Sequence, residues 1–374
     1  MADIETKTVN NKKQLMDFIK FPWKIYKDDP SWVPPLIMDR KKLLDKKHNP
    51  FYNHAEMELF LAYKNGVLVG RNAAIINHNH NKFHEDKTGF FGFFESINDP
   101  EVTQILMDTA STWLKDRDCD KILGPCNPST NDEVGCLIDG FEHPPYIMMC
   151  HNPPYYQTLM EGYGLQKAKD LYAWYLDIRD KDIPEKLYRV ADAARSKFNL
   201  KIRNLRLKNL KNELELVREV YNNAWSRNWG FVPFTEEEIN HAADDLKQIA
   251  NEEFLLLATI NDKPVGFSIT LPNINEVLKK IPSGKLFPTG LFKFMAGLKK
   301  VRTVRVIILG IIKEYQHVGF GAVFYVETIK RAKNLGLDGG EMSWILEDNS
   351  PMNKAIEMLG SQKYKTYRLF EKSL

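Results

Sequence analysis

The period of the apolar positions divides the chain into alternating helical and extended stretches. Residues 11–27 place Leu15, Phe18 and Ile19 on one helical face, until Phe21-Pro22 and the Pro-rich stretch 28–35 interrupt the pattern. A second short helix fits 36–45. Residues 56–63 read as a strand that turns at Asn65-Gly66 and returns over 67–76, the pattern of a hairpin. The run HNHNKFH then reads as an exposed hairpin tip. Its His78, His80 and His84 lack cysteine or carboxylate partners in a ligand pattern, so no metal site is expected there. An aromatic strand over 89–97 precedes a helix over 100–115, capped by Asn98 or Asp99. Residues 124–156 are dense in Pro, Asn and Gly, and loops of this length inside compact domains are often functional. A helix closes over 157–162, a strand follows over 170–177, and a charged helix over 182–199 reads as a connector.

The second half repeats the first. Leu61-Ala62, Asn65 and Val69-Gly70 match Leu257-Ala258, Asn261 and Val265-Gly266, all at an offset of 196 residues. Gly164-Leu-Gln-Lys matches Gly360-Ser-Gln-Lys at the same offset. Two copies of one α/β unit are therefore expected: an N-terminal domain over 1–180, a helical connector over 181–200 and a C-terminal domain over 201–374. The second copy carries an extra segment, 273–302. It sets Leu286, Phe287, Leu291, Phe292, Phe294, Met295 and Leu298 among Lys279, Lys280, Lys285, Lys293, Lys299, Lys300 and Arg302. Such a basic amphipathic element suits a membrane surface, a lid over an acyl chain, or a surface helix packed on the body.

One stretch of the second copy carries a recognisable device. Val306 to Ile312 is an apolar run of strand character, followed by Gln316-His317-Val318-Gly319-Phe320-Gly321 and a helical pattern over 322–332. A strand feeding a glycine-bearing turn into a helix start binds phosphate well. The first N–H groups point at the anion, the helix dipole favours its charge, and glycine lets the backbone come close. The spacing Gln-x-x-Gly-x-Gly differs from the Gly-x-Gly-x-x-Gly of dinucleotide folds and from the Lys-Ser/Thr-terminated nucleotide loop. The corresponding place in the first copy reads Asn98-Asp99-Pro100-Glu101, whose acids would repel a pyrophosphate, so one cofactor site is expected. Downstream, 339–349 reads as a strand, 350–359 as a helix closed by Gly360, and 363–372 as an edge or final strand.

The Gln316–Gly321 pattern resembles the pyrophosphate arm of the GCN5-related N-acetyltransferase (GNAT) superfamily. In that superfamily an Asn ends the fifth strand, and Ala, Tyr and Gly follow it on a helix. Here Asn349 is followed by Met352, Ile356 and Gly360 at those positions, so the Tyr that can protonate the leaving thiolate is Ile356. Over nearly its full length the chain also resembles a bacterial branch of the acyl-CoA N-acyltransferase fold that includes bacterial ceramide synthases. That likeness lies in FPWKIYKDDPSWVPPL (21–36), in GPCNPSTNDEVGCLIDGFEHPPYIMMCHNPPYY (124–156) and in the C-terminal EDNSPMNKAIEMLG and YKTYRLFEK. It implies two tandem GNAT-like α/β domains (α+β, mixed sheet), an acetyl-CoA or longer acyl-CoA donor, and an amine acceptor such as a sphingoid-type lipid amine. The family's donor site would take the fourth-strand backbone near Leu309 and Ile311, the turn residues Gln316, His317, Val318, Gly319, Phe320 and Gly321, and Asn349. The N-terminal copy would then be a wall of the acceptor site.

Composition and charge narrow the field. Of 374 residues 27% are charged, and the net charge of +3 carries no nucleic-acid footprint. Cys119, Cys126, Cys136 and Cys150 have no Cys-x-x-Cys spacing, and the N-terminal residues lack an apolar export core. Reduced thiols and a cytoplasmic, membrane-peripheral location are the expectation. No apolar run approaches the ~18 residues that span a bilayer. Amine acylation needs a group to take a proton from the acceptor. Asp132, Glu133 and His151 in the long loop are the candidate bases, and Asn127, Asn131, Tyr155 and Tyr156, with Ser129, are candidate acceptor contacts. Ile356 and the lack of an evident base leave a second reading open, a non-catalytic CoA-binding module.

Overall fold

The computed structural model describes residues 3–225 and 228–374. The chain opens with β1 (Ile4–Thr8), α1 (Lys12–Lys20), α2 (Pro22–Ile25) and α3 (Ile37–Leu43), then the hairpin β2 (Ala55–Lys64) and β3 (Val67–Asn77). Next come α4 (His78–His84), β4 (Thr88–Ser96), α5 (Pro100–Lys115), β5 (Lys121–Gly124), β6 (Cys126–Asn127), β7 (Glu133–Val134), β8 (Cys136–Asp139), α6 (Tyr155–Gly162) and β9 (Gln166–Asp177). After them follow α7 (Glu185–Phe198), β10 (Lys201–Asn204), α8 (Leu210–Trp225), α9 (Glu236–Leu246), β11 (Leu255–Ile260), β12 (Lys263–Pro272), α10 (Asn275–Leu278) and α11 (Gly290–Leu298). The chain ends with β13 (Thr303–Ile311), α12 (Phe320–Asn334), β14 (Gly339–Leu346), α13 (Ser350–Met358) and β15 (Gln362–Ser373).

Two compact units interleave along this order. The first takes Met1–Leu171, Leu278–Lys293 and Lys365–Leu374; the second takes Tyr172–Val277 and Phe294–Tyr364. In the first, β1 to β4 form an antiparallel meander, β4 and β5 run parallel, and the C-terminal strand β15 completes the sheet by pairing antiparallel with β5. In the second, β10 to β13 form the meander and β13 and β14 run parallel. In the first unit Val102, Leu106 and Leu114 of α5 and Tyr156 and Leu159 of α6 share one core with the strands. In the second unit α7 and α12 share a core with strand residues such as Leu256 and Val265, while α8 shares a separate one with Leu257 and Phe267.

The shared offset carries conformation as well as sequence. Asn65 and Asn261 both take positive φ, 50° and 49°, at the tips of matching hairpins. The strand irregularity after Ala62 recurs after Ala258. Gly70 lets α5 approach β3, since a Cβ there would lie 2.7 Å from Leu106 Cδ1. Gly266 serves α12 on β12 in the same way, with Phe324 Cε2 at 3.1 Å. Gly164 and Gly360 close α6 and α13 at φ 91° and 82°.

One expectation needs correction. Residues 78–84 are a helix and not an exposed hairpin tip. Asn77 caps it through His80 N–H, and the His80 ring is buried edge-on to Phe90 at a 4.9 Å centroid distance. Of the two alternatives for 363–372, an edge or the final strand, the structure has the final strand and it is not an edge. β15 pairs with both β5 and β8, and Lys365 within it is fully buried, its Nζ donating to Pro144 O at 2.8 Å. The regular alternation of 363–372 concealed this, because its lysines look solvent-facing in sequence.

Burial pushes the His80 pKa down to about 4, with the neighbouring His84 adding to the shift. The folded state therefore binds fewer protons than the unfolded one between about pH 4 and 6.5, so stability should rise with pH across that window. Urea unfolding should register a loss on the order of 2 kcal/mol on acidification from pH 7 to 4.5. His80→Gln should flatten that dependence, and an unchanged slope would remove His80 as its source.

Candidate functional site

In the second unit the strand–turn–helix device has a definite shape. The parallel strands β13 and β14 pair only from Thr303↔Gly339 to Val306↔Met342, although both run on to Ile311 and Leu346. Beyond Met342 they part. The parting coincides with a bulge: Ile269 faces Ile308 and Thr270 faces Val306, so Ile307 has no partner in β12. The backbone of Leu309 and Ile311 continues along the diverging stretch, held on its other side by Ser268 and Gly266.

The turn after β13 presents a helix start. Gln316 Nε2 donates to Ile311 O at 3.1 Å and ties the turn to the strand end. His317 is exposed and Val318 half-buried. Gly319 takes the left-handed conformation, φ 89°, as the residue preceding α12, and no side chain caps that helix. The Ala322 N–H donates back to Gly319 O at 3.1 Å, and the Phe320 and Gly321 N–H groups at the helix start are the ones that would meet an anion. Phe320 is buried and stacks on Tyr315 at 5.1 Å, which fixes the turn. At Gly321 a Cβ would find only Tyr325 Cε2, 3.9 Å away, so the first turn is open. Asn349 caps α13 through Met352 N–H at 3.3 Å, and Ile356 on that helix is buried. A hydroxyl does meet α13: Tyr325 Oη lies 2.8 Å from Met352 Sδ, with burial holding its pKa well above the usual phenol range.

A buried polar cluster sits where β13 and β14 begin to part, and sequence reasoning missed it. Arg305 Nε donates to Ser343 Oγ at 2.8 Å and its guanidinium lies 3.7 Å from Glu341. Ser343 and Tyr364 both donate to the Glu341 carboxylate. The signal was present as charges inside otherwise apolar strands, VRVIILG and GGEMSW. The apolar run taken as the strand began one residue after Arg305.

The first unit has the same parting and fills it with its own chain. β4 and β5 pair only from Thr88↔Lys121 to Phe90↔Leu123. The Phe93 N–H donates to Asn127 Oδ1 at 2.5 Å, and a Cβ on Gly92 would lie 1.7 Å from Cys126 O. Asn127 is thus committed to plugging this groove. The following helix is capped by Asp99, which Lys64 neutralises at 2.6 Å, so no anion site forms there.

The long-loop candidates spread over several places in the first unit. Asp132 accepts from Ser129 Oγ at 2.7 Å, and the Asn131 N–H also meets that hydroxyl, at 3.1 Å. Glu133 pairs with Arg40. Tyr155 Oη donates to Ser96 O at 2.8 Å. Tyr156 is fully buried and donates to Glu95 at 2.7 Å, within a network that includes Tyr26 and Arg71. Burial raises the Glu95 pKa, against the lowering effect of Arg71 and the two tyrosines. His151 stands apart. Its Nε2 lies 2.8 Å from Asp29 Oδ2, and its Nδ1 is buried without a hydrogen-bond partner. With the proton on Nε2, donated to Asp29, Nδ1 keeps a free lone pair. Burial lowers the His151 pKa, partly offset by Asp29, which favours the neutral ring at neutral pH. The segments 21–36 and 124–156 meet here: besides His151–Asp29, Tyr26 Oη lies 2.9 Å from His151 O, and Ser31 Oγ donates to Glu142 O at 2.9 Å.

Comparison with known proteins places this geometry. No family model matches the chain. It is 38% identical to Protein YghO of Escherichia coli (strain K12), covering 98% of this chain and 95% of that protein. It is 36% identical to a bacterial ceramide synthase of Caulobacter vibrioides (strain NA1000 / CB15N), covering 100% of this chain and 98% of that one. Among solved structures it is similar to a tandem GNAT protein from the clavulanic acid biosynthesis pathway. That likeness has a TM-score of 0.59 and 10% identity, over 99% of this chain and 98% of the other. The fold is a tandem GNAT fold.

The turn makes unequal demands on its two glycines. Gly319→Ala meets both a positive φ and Val190 Cγ1 at 2.9 Å, and should cost about 1–2 kcal/mol in urea unfolding. Gly321→Ala has open space and should leave stability unchanged. Equal losses at both positions would contradict this account of the turn.

Proposed function

The chain belongs to the family of the bacterial ceramide synthase and YghO, and on that premise we propose that it is an acyl-CoA-dependent N-acyltransferase. The donor is acetyl-CoA or a longer acyl-CoA, and the acceptor a primary amine of lipid character, such as a sphingoid base. The observation that carries the reading is the parting of β13 and β14 beside an uncapped helix start. The pyrophosphate would rest on the turn Gln316–Gly321. The pantetheine would run between the strands along Leu309 and Ile311, towards α13 with its cap Asn349. The plugged groove and acidic helix start of the first unit support a single donor site. We assign the two sequence copies to domains over 1–180 and 201–374, joined by 181–200, with Leu278–Lys293 and Lys365–Leu374 of the second copy folded into the first compact unit.

The reaction forms one C–N bond and breaks one C–S bond. The amine attacks the thioester carbonyl, loses a proton to a base, and the departing thiolate gains one. Of the candidate bases we assign the first transfer to His151, whose ring is oriented by Asp29 and whose Nδ1 keeps a lone pair. Asp132 and Glu133 are engaged by Ser129 and Arg40 and are assigned to shaping the loop, together with Asn131. Tyr325, whose hydroxyl reaches α13 where Ile356 replaces the superfamily's Tyr, is the proposed acid for the thiolate. Among the described residues no helix is long and apolar enough to cross a membrane. A lipid acceptor would be met at a cytoplasmic membrane surface, with peripheral contact through 273–302.

Thermal stabilisation by CoA thioesters from acetyl to palmitoyl tests the donor. A ligand that binds only the folded state raises the melting temperature according to concentration over Kd. Stabilisation should grow with chain length. Gly321→Glu, which fills the open first turn with an acid, should abolish it while the protein stays folded. No stabilisation by any thioester would overturn the reading. For the base, His151→Gln should lower kcat about 100-fold or more without changing acyl-CoA stabilisation. The acid limb of the kcat profile should fall below pH 6.5, in keeping with the lowered pKa. A protein stabilised by acyl-CoA that turns over no amine would instead be a CoA-binding module, the reading that Ile356 favours.

A further inference from the structure

The segment between β12 and β13 is tied down at one end and displays its apolar side chains at the other. Ile281 is buried, the Trp23 indole N–H donates to Pro282 O at 2.7 Å, and the Ile37 N–H donates to Gly284 O at 2.9 Å. Gly284 is packed so closely that a Cβ would lie 2.6 Å from both Pro35 O and the Trp23 ring. Gly290 is held equally tightly, with Lys285 O 2.2 Å from a Cβ built there. A segment held this firmly could turn its large apolar residues inward. Instead Phe287 is 73% exposed, Phe292 78% and Met295 59%. Phe292 and Met295 are three residues apart on α11 and share a face, and Phe287 lies in the turn that leads into it.

The charge around these side chains has one sign. From Val277 to Val301 the sequence holds Lys279, Lys280, Lys285, Lys293, Lys299 and Lys300 and no Asp or Glu. All six lysines are exposed. Single exposed apolar residues are common on soluble proteins, but three in one short segment that carries six exposed lysines and no acid is a different pattern. A protein partner or a second copy would need acidic residues to match it. A bilayer with anionic headgroups supplies negative charge and an apolar layer beneath it, in the order that the side chains require.

We infer that Phe287, Phe292 and Met295 insert into an anionic lipid surface, with the six lysines engaging its headgroups. This deepens the proposed function by naming the surface at which a lipid acceptor is met, and rests on that reading only for its purpose. Binding requires neither acyl-CoA nor catalysis.

Co-sedimentation of the full chain with vesicles tests it, using phosphatidylcholine alone and phosphatidylcholine mixed equally with phosphatidylglycerol. The wild type should bind the mixed vesicles at least about tenfold more tightly than the neutral ones, and added salt should weaken the binding. Phe287→Ser with Phe292→Ser should lose vesicle binding. Lys279→Glu with Lys280→Glu and Lys285→Glu should abolish the preference for phosphatidylglycerol. Acyl-CoA stabilisation should be unchanged in both variants, which separates failure of this inference from failure of the donor assignment. Wild-type protein that ignores the mixed vesicles, or a serine variant that binds them as well as wild type, would overturn the inference. So would a serine variant whose effect is to dissociate an oligomer, since the patch would then join two copies of the chain.

Discussion

Two parallel strands that stop hydrogen bonding to each other while both continue are the constraint on which the second unit is organised. Backbone N–H and C=O groups that leave a ladder must find other partners, and buried ones rarely go without. The parting of β13 from β14 after Met342 ends their mutual ladder, and this is where the donor is proposed to lie. The bulge at Ile307 begins the divergence, and the left-handed Gly319 turns the chain so that α12 starts beside the opening. Arg305, Glu341, Ser343 and Tyr364 close the narrow end with charges whose partners are supplied within the unit.

The first unit answers the same demand differently. Its β4 and β5 part in the same way, and the chain itself supplies the missing partner, through Asn127 Oδ1 on the Phe93 N–H. Gly92 is required there because nothing larger fits against Cys126 O. The two units thus share one strand geometry, and in the first the parting is filled by the chain itself. The long loop does two things in the first unit: Asn127 fills the groove, and His151 is held against Asp29.

Much of this was legible in the sequence because it rests on local rules. The hairpin at Asn65-Gly66, the cap at Asp99 and the glycines at 319 and 360 each have a short-range physical cause, and each was readable. The repeat was readable because conformation at Asn65 and Asn261 was kept along with identity. What escaped depended on distant partners. The pairing of β15 with β5 joins residues separated by most of the chain, and no periodicity announces it. The buried Lys365 looked like a surface lysine because its acceptor, Pro144 O, lies in the long loop. The Glu341 cluster needed three separate strands to assemble. His151 was readable as a candidate by its setting, but not its Asp29 partner, which lies 122 residues earlier.

The interleaving of the units bears on how the chain can be made. The first unit's sheet includes Lys365–Leu374, which follow every residue of the second unit in the chain and are made after them. Until then β5 has an open edge, and Phe370, which belongs to the core of the first unit, is absent. The N-terminal copy therefore cannot mature ahead of its twin during synthesis, as successive domains usually do. A truncation after α13 would remove the strand that completes the first unit's sheet, so damage at one end of the sequence falls on the unit built from the other.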